Sequence, residues 1–146
     1  MNVAEKDLYF VAVKVFLEQD GKLLILKDSF GDWDLPGGRI KKDEFSVPFD
    51  DIITRKMIEE LGATVVYTIG KPVVLMRHER NEMVLGSPLV RIFAVGYRGT
   101  LVSGDIQLSL RHTEMKWVDV ATFDPKDYFR GGWLQGVEEY LEIARS

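Results

Sequence analysis

One segment of this chain has to serve a core and a polar surface at once. Between Phe49 and Leu61, the residues Phe49, Ile53, Met57 and Leu61 recur every four positions, while Arg55, Lys56, Glu59 and Glu60 crowd charge onto adjoining turns. Residues three and four apart share a helical face, so the first set predicts an amphipathic helix with its apolar stripe against a core. The second set places two adjacent carboxylates, an arginine and a lysine within reach of one another. Ser46 is the expected cap, Pro48 is tolerated in the first turn, and Gly62 ends the helix.

The remaining pattern is mostly strand. Leu8 to Leu17 is rich in β-branched and aromatic residues, and Gln19-Asp20-Gly21-Lys22 is a turn signal leading into Leu23 to Lys27, which together predict a hairpin. Asp32 to Leu35 reads as a short strand ending at a Pro36-Gly37-Gly38 turn. Val65 to Met76 and Leu89 to Tyr97 read as strands joined by a polar connection, Arg77 to Glu82, and Met115 to Val120 as one more strand. From Trp133 to Ala144, Leu134, Val137, Tyr140, Leu141 and Ala144 mark a second amphipathic helix. Strands, helix, strands, helix is the order of an α/β fold with a mixed sheet between helices. A chain of 146 residues fits a single domain spanning 1–146.

Bulk properties narrow the function classes. There is no cysteine, hence no disulfide framework, thiolate nucleophile or cysteine-based zinc site. A net charge of −4 argues against an extended nucleic-acid surface, which needs clustered Lys and Arg. No apolar run reaches the roughly 18 residues a membrane span requires, and Met1 to Asp7 lacks a signal-peptide pattern, so the expectation is a cytoplasmic protein.

Glutamates on one helix face suit Mg²⁺ or Mn²⁺, hard cations that prefer oxygen and share it with substrate phosphates. With the helix beside the Gly38 turn, Glu44 and the Gly38 carbonyl could complete such a shell. A Glu-Glu pair alone is an ordinary solvated helix face. Its order relative to Gly38, Glu44, Arg55 and Gly62 is more specific: Gly38, five residues, Glu44, then Arg55, Met57, Glu59, Glu60, Gly62 and Ala63, with Leu35-Pro36-Gly37 leading in. This series resembles the Nudix box. Two departures stand out: ten residues instead of seven separate Glu44 from Arg55, and Lys56 occupies the place of the glutamate in the Arg-Glu pair.

The resemblance implies a Nudix-type α/β/α sandwich and metal-dependent cleavage, with Mg²⁺ or Mn²⁺, of the phosphoanhydride bond in a nucleoside diphosphate linked to another moiety. By position it implies Glu59 and Glu60 as metal ligands, Glu44 as a further ligand or a partner supporting the ligands, and Arg55 as the residue orienting the glutamates through a bidentate contact. The segment His112 to Val118 is similar to one that carries an acidic residue before a late Trp-containing strand, making Glu114 a further catalytic candidate. A charged lysine can neither bind metal nor activate water. With Lys56 at that place, the base falls to Glu114, Glu79 or Glu82, and the rival function is a catalytically weakened Nudix domain acting as a nucleotide-binding sensor or regulator. The expected partner is a small nucleotide-derived substrate; a homodimer would be compatible with such a domain. His78 and His112 read as surface or hydrogen-bonding residues, and Tyr128, Phe129 and Trp133 as the anchor of the last helix, with a base-stacking wall as the alternative.

Overall fold

A computed structural model describes residues 5–84 and 87–146. The expected hairpin is present: β1 (Phe10–Gln19) and β2 (Lys22–Asp28) are joined through Asp20 and Gly21, at φ 52° and 76°. Both turn residues adopt the left-handed region that a two-residue hairpin turn requires. Only Glu18↔Leu23 and Gln19↔Lys22 pair, however, and beyond them the two strands part. Into the gap runs the segment carrying β3 (Trp33–Asp34) and β4 (Gly37–Arg39). Strand β3 pairs with β2, and β4 with β1 through Ala12↔Arg39, Val13↔Gly38 and Lys14↔Gly37. The Pro36-Gly37-Gly38 sequence is thus a strand entry laid on β1 instead of a simple turn. Gly37 sits at φ 129°, and a Cβ there would run into the Val13 carbonyl, so only glycine permits this approach.

Along its other edge β1 runs parallel to β6 (Ser87–Ser103), from Phe10↔Ile92 to Glu18↔Thr100, and β6 is antiparallel to β5 (Val66–Val84). The polar run Arg77 to Glu82, expected as a connection, is part of β5. Its side chains alternate between two faces within a continuous ladder from Arg77↔Phe93 to Asn81↔Leu89, so charge there marks a wetted strand face. Strand β7 (His112–Asp119) pairs with β2 and completes a seven-stranded mixed sheet.

Helix α1 (Phe49–Leu61) and helix α2 (Gly131–Ala144) cover opposite faces. Alternation along the strands divides the core: Val13, Val15, Leu17, Leu24 and Leu26 pack under α1, whereas Ala12, Phe16, Leu23 and Ile25 pack under α2. The buried stripe of α1 is Ile52, Ile53, Met57 and Leu61. Phe49, expected in that stripe, is half exposed at the helix start, and Ser46 lies outside the helix, whose N-cap is Pro48 without a side-chain cap. Asp50 and Asp51 in the first turn favourably meet the helix dipole instead. On α2, Trp133, Val137, Tyr140 and Leu141 are buried, with Tyr140 stacked on Phe16 at 4.1 Å between ring centres. Each such side chain contributes about 1.5–3 kcal/mol by leaving water. Gly132 lets α2 press on the backbone of β5 at Arg77. Among the described residues, no helix is long and apolar enough to cross a membrane.

Candidate active site

The longer spacing between Glu44 and Arg55 is taken up before α1. A short 3-10 turn, Lys42–Glu44, and the bend through Phe45 to Val47 absorb it, leaving Phe45 exposed but returning Glu44 to the helix. There Arg55 grips both oxygens of the buried Glu44, Nη2 donating to Oε1 and Nε to Oε2 at 2.6 Å each, while the Lys41 backbone N–H donates to Oε1 at 2.8 Å. One helical turn on, Arg55 Nη1 donates to Glu59 Oε1 at 2.9 Å. The two-pronged Arg55 contact holds the Glu44 carboxyl below the usual carboxylate range, and the same contact raises the guanidinium. Burial pushes Glu59 up, but Arg55 and Lys56 outweigh it and leave the carboxyl below its ordinary value.

Lys56 projects from the same turn toward β4. Its Nζ lies 3.6 Å from Glu59 Oε2, its side chain is only 12% exposed, and it extends over Gly38, where an added Cβ would stand 2.8 Å from Nζ. Burial lowers the lysine pKa; Glu59 and Glu60 oppose this, Arg55 reinforces it. The two glycines therefore do different work: Gly37 allows the strand onto β1, and Gly38 makes room for Lys56.

Glu60 points the other way from Glu59. Its Oε2 accepts the Gly37 N–H at 2.7 Å, and its Oε1 is 3.9 Å from His112 Nε2. Burial pushes its pKa up to about 7, against the opposing pull of Lys14 and the Gly37 N–H. His112 is 7% exposed in its side chain, is held through Nδ1 by Ser109 Oγ at 3.1 Å, and has its pKa lowered by burial.

Glu60 and Lys56 open onto a cleft of about 840 Å³ formed where β1 and β2 diverge. Its wall includes Gly37, Gly38, Lys14, Arg39, Arg80 and Arg111. Several of these cations are already paired: Lys14 with Asp34 at 3.0 Å, Arg39 with both oxygens of Glu82 at 2.9 and 2.6 Å, and Arg80 with Asp28 and Glu82 at 4.0 and 3.8 Å. His78 stacks on Trp133 at 4.5 Å and 19°, its Nδ1 buried without a hydrogen-bond partner among the described residues, and both rings line the cleft. Trp133 is thus a core anchor that also presents a ring to the cleft, while Phe129 is wholly core.

The structure brings Arg55, Glu44 and Glu59 into one cluster, and Glu60 with Gly38 into the adjoining wall. Glu79 and Glu82 also line the cleft, with Glu79 paired to Arg91 at 2.9 Å. Glu114 is exposed on β7 opposite Lys27 and is absent from the cleft wall. Lys14 escaped the sequence reading, although a lone lysine inside the apolar run of β1, 5% exposed, was a signal of a polar cavity. Arg39 gained its cleft position from the pairing of β4 with β1, which no local pattern encodes, whereas Trp133 was already in view as part of an aromatic wall.

The resemblance also implies a divalent cation. Both Glu44 oxygens and one Glu59 oxygen are bound by Arg55, the other Glu59 oxygen faces the Lys56 ammonium at 3.6 Å, and among the described residues no three Asp, Glu or His side chains converge on a common point. Lys56 stands among the carboxylates as a fixed cation. As arranged, these residues do not fit a carboxylate-held Mg²⁺ or Mn²⁺.

Taken with the mixed sheet and its two covering helices, this layout is the Nudix fold. Solved structures confirm the fold across nearly the whole chain. A MutT protein from Methanosarcina mazei Go1 superposes with a TM-score of 0.74 at 23% identity, covering 97% of this chain and 99% of its own. An ADP-ribose pyrophosphatase from Streptococcus suis gives 0.66 at 17% identity, with 95% and 94% covered. The Nudix domain of Shewanella oneidensis NrtR, solved with ADP-ribose, gives 0.60 at 19% identity, with 99% and 94% covered. No protein-family model and no curated protein sequence matches the chain.

Proposed function

We propose that this protein is a Nudix-type hydrolase that cleaves the phosphoanhydride bond of a nucleoside diphosphate linked to another moiety. The observation that carries the reading is the convergence of Gly37, Gly38, Lys56 and Glu60, all from the box-like segment, on the wall of one cleft large enough for a small nucleotide derivative. The fold shared with a MutT protein and an ADP-ribose pyrophosphatase supports it.

In this reading Lys56, with Arg39, Arg80 and Arg111 around the cleft, neutralises the diphosphate and places one phosphorus near Glu60. Glu60, held in position by the Gly37 N–H, takes a proton from the attacking water. The new P–O bond forms as the P–O–P bridge breaks, and the bridging oxygen leaves on the second phosphate-bearing product. Arg55 and Glu44 do not touch substrate; they tie α1 to the 3-10 turn that follows β4 so that Lys56 and Glu60 face the cleft.

A second reading, a nucleotide-binding sensor or regulator with weakened catalysis, is favoured by one observation: Lys56 in the place of an acidic residue. Product release from nucleoside triphosphates, nucleotide sugars, dinucleoside polyphosphates and ADP-ribose, measured with Mg²⁺, with Mn²⁺ and in EDTA, separates the two. Turnover lost in Glu60→Gln supports the hydrolase. Ligand binding with no turnover under any condition hands the protein to the second reading.

A further inference from the structure

Three features of the cleft bear on how it meets a diphosphate. The first is that the cations along its wall are unequal. Lys14 and Arg39 are committed to Asp34 and Glu82 at 3.0 Å or less. Arg80, by contrast, reaches Asp28 and Glu82 only at 4.0 and 3.8 Å, and Lys56, among the described residues, has one ion pair, at 3.6 Å to Glu59, already past normal hydrogen-bond length. Of these two loosely held cations, Lys56 is the one that extends over Gly38. The second is Gly38, whose missing side chain leaves the space through which the lysine stem reaches the cleft. The third is the engagement of the carboxylates: Arg55 binds both oxygens of Glu44 and one of Glu59, whose other oxygen faces Lys56 at 3.6 Å.

We infer that Lys56 is the built-in cation of this site, its ammonium binding the ligand's diphosphate directly over Gly38 so that a nucleoside diphosphate derivative is held without a divalent metal. The inference rests on the proposed ligand class and adds how that ligand is held. An ammonium that is only 12% exposed and weakly paired is cheap to recruit, because much of its hydration has already been lost on folding. A phosphate oxygen drawn to it gains a charge-assisted hydrogen bond and gives the lysine the close partner it lacks. The geometry also explains why the carboxylates sit bound to Arg55: with the positive charge supplied by the chain, Glu44 and Glu59 are free to act as braces for the helix.

The test is calorimetric titration with ADP and with inorganic pyrophosphate, in EDTA and in Mg²⁺, alongside Mn²⁺ binding followed by electron paramagnetic resonance. Wild type is expected to bind ADP in EDTA with affinity comparable to that in Mg²⁺, and to leave Mn²⁺ free when no nucleotide is present. Lys56→Gln should weaken ADP in EDTA by about tenfold or more, the scale of one charge-assisted hydrogen bond. Lys56→Arg should keep most of the affinity, which separates loss of charge from loss of fold, and thermal melting checks that each variant is folded. Lys56→Glu should lose ADP in EDTA and acquire bound Mn²⁺. ADP binding that needs Mg²⁺ in wild type, unchanged affinity in Lys56→Gln, or equal Mn²⁺ binding by wild type and Lys56→Glu would each overturn the inference while leaving the hydrolase reading intact. No ADP or pyrophosphate binding in either buffer, together with no turnover of any panel member, would remove both.

Discussion

Glu59 and Glu60 are neighbours in sequence and opposites in setting. Glu59 is 41% exposed, lies on the outer flank of α1 and is held by Arg55 and Lys56, with its pKa lowered. Glu60 is 14% exposed, faces the cleft, takes the Gly37 N–H and has its pKa raised to about 7. A step of one residue turns a helix by about 100°, so two identical side chains reach different dielectrics and partners. The lesson is that a motif written as Glu-Glu is two devices. The outer carboxylate joins Glu44 and Arg55 in a brace, and the inner one belongs to the cleft.

The sharpest way to break that division is to neutralise each carboxylate in turn. Glu60→Gln is expected to lower kcat by about 10²–10⁴, the range of general-base loss, with the melting temperature held or raised. Glu59→Gln should cost far less activity and a small amount of stability. Equal kinetic losses in steady-state assays would dissolve the distinction.

The same contrast has a pH signature. Glu60 moves from an ordinary value of 4.5 to about 7 on folding, so between those values the native state holds more proton than the unfolded chain. Stability is therefore fully present below about pH 4.5 and falls as pH rises to about 7, by on the order of 3 kcal/mol from this group alone. Glu59 and Glu44 are shifted downward and act in the opposite sense, losing stability as pH falls below their ordinary 4.5. Urea denaturation of wild type and Glu60→Gln across pH 4–8 isolates the first contribution: the falling slope should vanish in the variant.

How much of this was legible beforehand follows from what each feature depends on. The stripe Ile53, Met57, Leu61 and the hairpin at Asp20-Gly21 depend on residues close in sequence, and both were readable. The Glu44 to Arg55 brace was also readable, as a family resemblance instead of a geometry. The continuation of β5 through Arg77 to Glu82 was not, because those residues are strand-paired to β6 while facing a polar cleft, and polarity imitates a loop. Nor was the parting of β1 from β2, which lets Gly37 lie as a strand beside Lys14 and creates the cleft. That arrangement is set by pairing between distant segments, and only Lys14 within an apolar strand hinted at it.

Two smaller effects probe the frame of the site. Gly37→Ala should cost roughly 1–3 kcal/mol in denaturant unfolding, since φ 129° is unfavourable for a side chain and the Cβ would meet the Val13 carbonyl. Gly38→Ala, with ordinary backbone and only the flexible end of Lys56 to displace, should cost less stability. Smallest of all, Arg39→Ala releases Glu82 from a partly exposed pair and should change stability by about 1 kcal/mol or less. An Arg39→Ala loss as large as that of Gly37→Ala would mean the cleft wall is held by ion pairs instead of by the strand pairing of β4.

The most direct test of the account is a crystal structure of the protein with ADP grown in the presence of Mg²⁺. The expected result is a phosphate group on Lys56 Nζ above Gly38, Glu60 facing that phosphate, and Arg55 still bound to Glu44 and Glu59. Lys56 swung out of the cleft, with a cation coordinated by Glu44, Glu59 and Glu60 and bridging to the phosphates, would contradict it.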